Sequence, residues 1–204
     1  MTLAGLRIDQ AEAEKIIARF RAVTGVDGEI KGSRIELGER GLLFELLEKS
    51  HATATVGIAL SAARPSVGTS RGDHDVEVYV ALLEDVIGDM LPSVPGCAEI
   101  IIDDGRYSPE TLALIRSDIA EYVGTCGTAR LELSHRAAGL QLADVIANTF
   151  FTRALPGNRQ ARMAAIVTPL MNAGRIKMRI LPGKPHGEDE REEERERRHR
   201  KAQQ

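Results

Sequence analysis

Aromatic side chains are scarce in this chain: there is no tryptophan, with three tyrosines and four phenylalanines in 204 residues. That scarcity argues against binding single strands by stacking bases on aromatic platforms. Cysteine is nearly absent too. Cys97 and Cys126 form no Cys-x-x-Cys pair and have no histidines at finger spacing, which argues against a disulfide framework and structural zinc. Both are expected as reduced thiols of a cytoplasmic protein. A basic excess is also missing: 27 Lys and Arg stand against 30 Asp and Glu, so any nucleic-acid contact has to be local. No apolar run has membrane length, and the N-terminal stretch "MTLAGLRIDQAEAEK" meets charge at Arg7, so neither a membrane span nor a signal peptide is expected. No glycine motif of the phosphate-cradling kind occurs, which leaves ATP, GTP and NAD unsupported.

What is present is a core-forming majority and a regular alternation. With 43% hydrophobic residues, the chain is long enough for one good-sized core and too short for two comfortable ones. "TLAGLRI" (2–8) reads as a strand, and Asp9 with Glu12 makes a capping box for a helix through Ala22. "GEIKGS" (28–33) reads as a brief extended piece, "ERGLLFELLEKS" (39–50) as a helix and the β-branched "HATATVGIAL" (51–60) as a strand. A loop over 61–72 precedes a largely apolar helix that Asp73 is placed to cap. "CAEIIID" (97–103) has the continuous apolar run of a strand covered on both faces. Ser108 and Pro109 open the next helix, "TARLEL" (128–133) is a strand, and a helix carries "GLQLADVIANTF" (139–150). The spacing then predicts a helix from about Asn158 to Ala173, interrupted at Pro169, and a last strand "RIKMRIL".

Strands alternating with helices define an α/β domain, taken here as residues 1–182. The remainder, 183–204, contains "EDEREEERERRHRKAQQ" with i,i+4 pairs such as Glu193 with Arg197. Such a segment reads as a solvated helix or a disordered extension with no catalytic role.

Three acidic signals stand out. Gln141, Asp144, Asn148 and Thr152 fall on one narrow stripe of an otherwise apolar, alanine-rich helix. That stripe faces solvent, a cleft or a bound ion. Asp103 and Asp104 emerge where a buried strand ends, the position at which open α/β sheets place ligands. An Asp-Gly turn accounts for Asp104 and leaves Asp103 free. Glu29 and Lys31, two apart in an extended segment, share a face, and as a surface ion pair would contribute under about 1 kcal/mol. Ser134 beside His135 lacks the Gly-x-Ser-x-Gly elbow of a serine hydrolase.

In this order, "GEIKGS", a strand ending in Asp103 and the helix with "LQLADVIA" resemble the domain-of-unknown-function family numbered 3800, over roughly residues 2–155. The resemblance implies an RNase H-like mixed sheet flanked by helices, with acidic residues gathered to hold Mg²⁺ or Mn²⁺. It assigns Glu29, Asp103 and Asp144 as metal ligands, Lys31 as a catalytic companion and Gln141 as support. Hard cations prefer carboxylate oxygens, and two of them about 4 Å apart stabilise the attacking and leaving oxygens of a phosphodiester displacement. Bound cations would also supply the positive charge for nucleic acid that the protein surface lacks. The implied function is a divalent-metal-dependent nuclease or phosphodiesterase, inactive as given if the site is incomplete. The alternative is a non-catalytic binding domain on the same scaffold.

Family members usually open with a strand ending in Asp-Glu-Ser-Gly, whose Asp is a ligand. The chain has no such motif, and "TLAGLRID" looks like the family's second strand. The resemblance therefore implies a strand missing from the middle of the sheet, beside the one carrying Asp103. Each buried unsatisfied group on the two edges left behind costs roughly 1–3 kcal/mol, against a total stability of roughly 5–15 kcal/mol. A start site further upstream is the favoured expectation; a decayed relative and a sheet that closes over the gap, or is filled by a protein partner, are the others.

Overall fold

The computed structural model describes residues 1–60, 71–93, 96–105 and 107–181. The charged tail, and all but the last two residues of the expected 61–72 loop, lie outside the described residues. The elements are β1 (Thr2–Arg7), α1 (Gln10–Thr24), α2 (Leu37–Glu48), β2 (Thr53–Ala59), α3 (Arg71–Met90), β3 (Ala98–Asp103), α4 (Pro109–Val123), β4 (Gly127–Glu132), α5 (Ala138–Ala154), α6 (Arg159–Asn172) and β5 (Ile176–Leu181). This is the α/β arrangement expected, with helices on both faces of the strands. Among the described residues no helix is long and apolar enough to cross a membrane.

Local chemistry explains most boundaries. The Asp9 side chain accepts the Ala11 amide at 2.9 Å, opening α1, and Gly25 at φ 71° ends it in a left-handed turn. α2 begins earlier than expected because the Glu39 carboxylate caps the Glu36 amide at 2.7 Å. α3 likewise begins at Arg71, ahead of Asp73. The Ser108 hydroxyl accepts the Thr111 amide at 3.3 Å at the start of α4. Pro169 does not interrupt its helix, which runs through it to Asn172. So near the C-terminal end one missing amide is a small loss, and Val167 and Leu170 on either side are fully buried.

The strands form two sheets. β1 pairs antiparallel with β2, and β2 parallel with β5, giving a mixed sheet in the order β1-β2-β5. β3 and β4 pair parallel, with Asp103 opposite Glu132. Among the described residues, β1 and β3 pair on one edge only. α3 lies across β1 and β2 and meets α4, which packs on β4. α5 covers β1, β2 and β3 from the other side. Close approach of α3 depends on glycine, since a Cβ at Gly5 would meet Val86 at 2.5 Å and one at Gly57 would meet Leu82 at 2.9 Å.

Two hydrophobic clusters result, one on each face. The larger joins Ile16, Phe20, Leu43, Val56, Leu142 and Phe150. The smaller joins Tyr79, Ile87, Ile102, Ile115 and Ile119, with Leu3 of β1 and Ile100 of β3 packed against it. β1 and β3 therefore touch the same core without bonding to each other.

Candidate functional site

The segment 28–33 is not a strand. It forms an irregular turn laid on α5, and two of its amides bond to that helix's side chains: the Ile30 amide donates to Gln141 Oε1 at 3.0 Å and the Gly32 amide to Asp144 Oδ2 at 2.7 Å. Gly32 permits the contact, because a Cβ there would sit 2.5 Å from Asn148 Cβ and 2.9 Å from the Asp144 carbonyl oxygen. The polar stripe of α5 is thus a docking surface for this turn. Gln141 is buried, whereas Asp144 stays exposed on the side that faces a cavity of about 370 Å³.

Beneath the turn lies a residue that sequence reasoning missed. The Arg40 guanidinium is 4% exposed and donates to the Gly32 carbonyl, to Thr149 Oγ1 at 2.7 Å and to Asn148 Oδ1 at 3.1 Å. Burial pulls its pKa below the usual arginine value, and the Asp144 charge opposes that shift. One signal was available: the arginine of "GERGLLF" has apolar residues at helical spacing, Leu37 three before it and Leu43 and Phe44 three and four after.

Glu29 and Lys31 form an ion pair at 3.3 Å on one face, as their spacing suggests. Ser134, which follows β4, donates its hydroxyl to the Glu29 carboxylate. That bond, and then the Lys31 charge, hold the Glu29 carboxyl below the usual range. Ser134 is a partner of Glu29 here, and nothing joins it to a hydrolase triad.

Asp103 ends β3 as expected, half-buried, and its Oδ1 accepts the Gly105 amide at 3.2 Å. Desolvation pushes its carboxyl above the usual range; Asp104 and Asp144 reinforce the shift, while the Gly105 bond and Lys31 oppose it. Asp103, Asp144 and Lys31 therefore sense one another's charge. Asp104 adds a buried Oδ1 that has no hydrogen-bond partner among the described residues.

The raised Asp103 pKa has a consequence for stability. Below the ordinary aspartate range the group is neutral in both states and costs nothing. As pH rises through that range the unfolded chain ionises first, so stability falls until pH passes the raised native value, and the cost then persists. Asp103→Asn is expected to raise the metal-free melting temperature at pH 7. The gain should shrink as pH is lowered toward the ordinary aspartate range, as followed by calorimetry in chelator.

The donor set is right in kind for a hard divalent cation, being all carboxylate oxygen. Asp103 uses one oxygen toward Gly105 and Asp144 one toward Gly32, and the other oxygen of each has no protein partner among the described residues. In number the set is short: no three His, Cys, Asp or Glu side chains converge on a metal position among the described residues.

No family model and no curated protein matches the chain. One solved structure similar to it is a chain of the PCNA:RNase HII complex from Archaeoglobus fulgidus, at TM-score 0.47 and 14% identity, covering 89% of this chain and 83% of that one.

Proposed function

We propose that this chain is an RNase H-like, divalent-cation-dependent phosphodiesterase domain related to the family numbered 3800. Mg²⁺ or Mn²⁺ would be held by Glu29, Asp103 and Asp144. The observation that carries the reading is the charge coupling of two carboxylates from separate elements, Asp103 at the end of β3 and Asp144 in the middle of α5, to each other and of Asp103 to Lys31, which pairs with Glu29, with Asp144 open to a cavity. Maintaining like charges in one place destabilises a fold unless something positive is bound there. When bound, such a cation would supply Lewis-acid stabilisation of a phosphodiester undergoing displacement.

The chain's own residues have separable tasks in this reading. Gln141 anchors the turn through the Ile30 amide and so fixes where Glu29 and Lys31 stand. Lys31, paired with Glu29 and partly exposed, orients a phosphate oxygen. Arg40 holds the Gly32 end of the turn against α5 from within.

The test is cleavage of labelled RNA, DNA and hybrid substrates in Mg²⁺ or Mn²⁺. Asp144→Asn and Asp103→Asn are expected to lower the rate by about a hundredfold or more, even though the second variant is expected to be the more stable protein. Cleavage indifferent to Glu29→Gln and Asp103→Asn would sink the assignment. A second reading, a binding domain without catalysis, is favoured by the absence of three converged ligand groups among the described residues. Unchanged stability with and without Mn²⁺ would support it.

A further inference from the structure

Charge is unevenly distributed in the C-terminal part of the chain. Between Asp144 and Glu188 the sequence has no Asp or Glu but seven Lys and Arg. Immediately beyond, 188–196 reads "EDEREEERE", seven acidic residues and two arginines. The whole chain carries a net charge of only -3, so the overall balance hides two segregated blocks. A run of one sign repels itself unless counter-charge is at hand.

The structure accounts for most of the seven bases. Arg153 lies over the Phe150 ring and donates to Met171 Sδ at 3.2 Å. Arg175 donates to the carbonyls of Leu47, Glu48 and Ala52 at the end of α2. Lys177 and Arg179 pair with Asp89 and Asp85 of α3. Lys184 lies outside the described residues. Arg159 and Arg162 are left over: both are exposed, and neither guanidinium has an ion-pair or hydrogen-bond partner among the described residues. Three residues apart, they share one face of α6. The first turn of that helix contains no acidic residue, so its dipole adds to their positive charge. Arg159 is also one of the charges that act on the buried Arg40.

The chain leaves the sheet close to this surface. Phe151, near the end of α5, shares the cavity with Met1 and Thr2, and α6 follows α5 after a short connection. Thr2 pairs with Ile58 and Ile58 with Ile180, a row of three strands about 10 Å wide. Leu181 is the next residue and ends β5. Residues 182–187 span up to roughly 20 Å when extended, which brings the acidic block within reach of the α5–α6 junction.

We infer that the acidic segment 188–196 docks on the exposed Arg159 and Arg162 face of α6 in the same molecule and holds other polyanions off that surface. Charge complementarity selects the segment, because it supplies the carboxylates that the preceding stretch lacks. Tethering selects the same molecule: a short linker gives an effective concentration on the order of millimolar, above that of free anions or of a second copy in dilute solution. The contact uses none of the residues of the cation reading and does not depend on it.

The test is run on the full chain without divalent cations, with Arg159→Lys and Arg162→Lys introduced together. Lysine keeps each point charge and adds an amine that a carbodiimide couples to a touching carboxylate, the products being mapped by mass spectrometry. The expected result is cross-links from positions 159 and 162 to 188–196 within one chain, in a yield independent of protein concentration. That yield should fall at least about tenfold in about 1 M salt, where the screening length is about 3 Å. Arg116→Lys on α4, equally exposed, is the comparison, and its yield to the same segment should be about a tenth or less. In the natural chain, salt should also shift the amide signals of Gln160 and Arg162, and should no longer do so once the seven acids are changed to their amides. Absence of the cross-links, equal yield from position 116, or cross-links found only between chains would overturn the proposal. The last of these would assign the contact to a second copy.

Discussion

Arg40→Leu is expected to lower the unfolding free energy by about 3–5 kcal/mol, read from urea denaturation of the metal-free protein. The guanidinium is nearly fully buried and serves acceptors from two elements, the Gly32 carbonyl of the turn and Thr149 and Asn148 of α5. Leucine fills part of the volume and satisfies none of them, and each acceptor left dry costs about 1–3 kcal/mol. Arg40→Lys is expected to recover part of the loss, because an ammonium keeps the charge near Asp144 but lacks the planar fork that reaches both elements. Equal stability of the leucine variant and the natural chain would show that water replaces these bonds freely.

Gly32→Ala is the second large effect, an expected loss of about 1–3 kcal/mol from overpacking. An added Cβ would meet the Asp144 carbonyl oxygen at 2.9 Å as well as Asn148 Cβ, and backbone cannot step aside as a flexible side-chain end can. Relief comes by lifting the turn off α5, which breaks the Gly32 bond to the Asp144 carboxylate and moves Lys31 away from Asp103. Chemical shifts of Ile30 and Ser33 should therefore change more than those of the α1 core residues Ile16 and Phe20. A variant that folds with the turn in place and full stability would contradict the close docking described here.

The same residues show how far sequence reading reached. The strands in "TATVGIA" and "EIIID" were legible because β-branched and continuous apolar runs have few other uses. Asp103 at a strand end and Asp144 on a polar stripe followed from periodicity alone, and the structure places both within reach of each other's charge. "GEIKGS" misled. Its alternation suggests an extended piece, yet its Ile30 and Gly32 amides are satisfied by Gln141 and Asp144, partners more than a hundred residues away that no local pattern encodes. Arg40 escaped notice for a related reason: a charged residue in a helix is ordinarily solvated, and only tertiary packing turned this one inward. Pro169 misled because a rule about helix interiors does not weigh position near the helix end.

The most direct test of the cation site is paramagnetic broadening by Mn²⁺ on the natural chain, compared with Asp144→Asn. The expected result is broadening centred on the amides around Glu29, Asp103 and Asp144, and its loss in the variant. Broadening that is absent, spread evenly over the acidic surface or unchanged by Asp144→Asn would contradict the account.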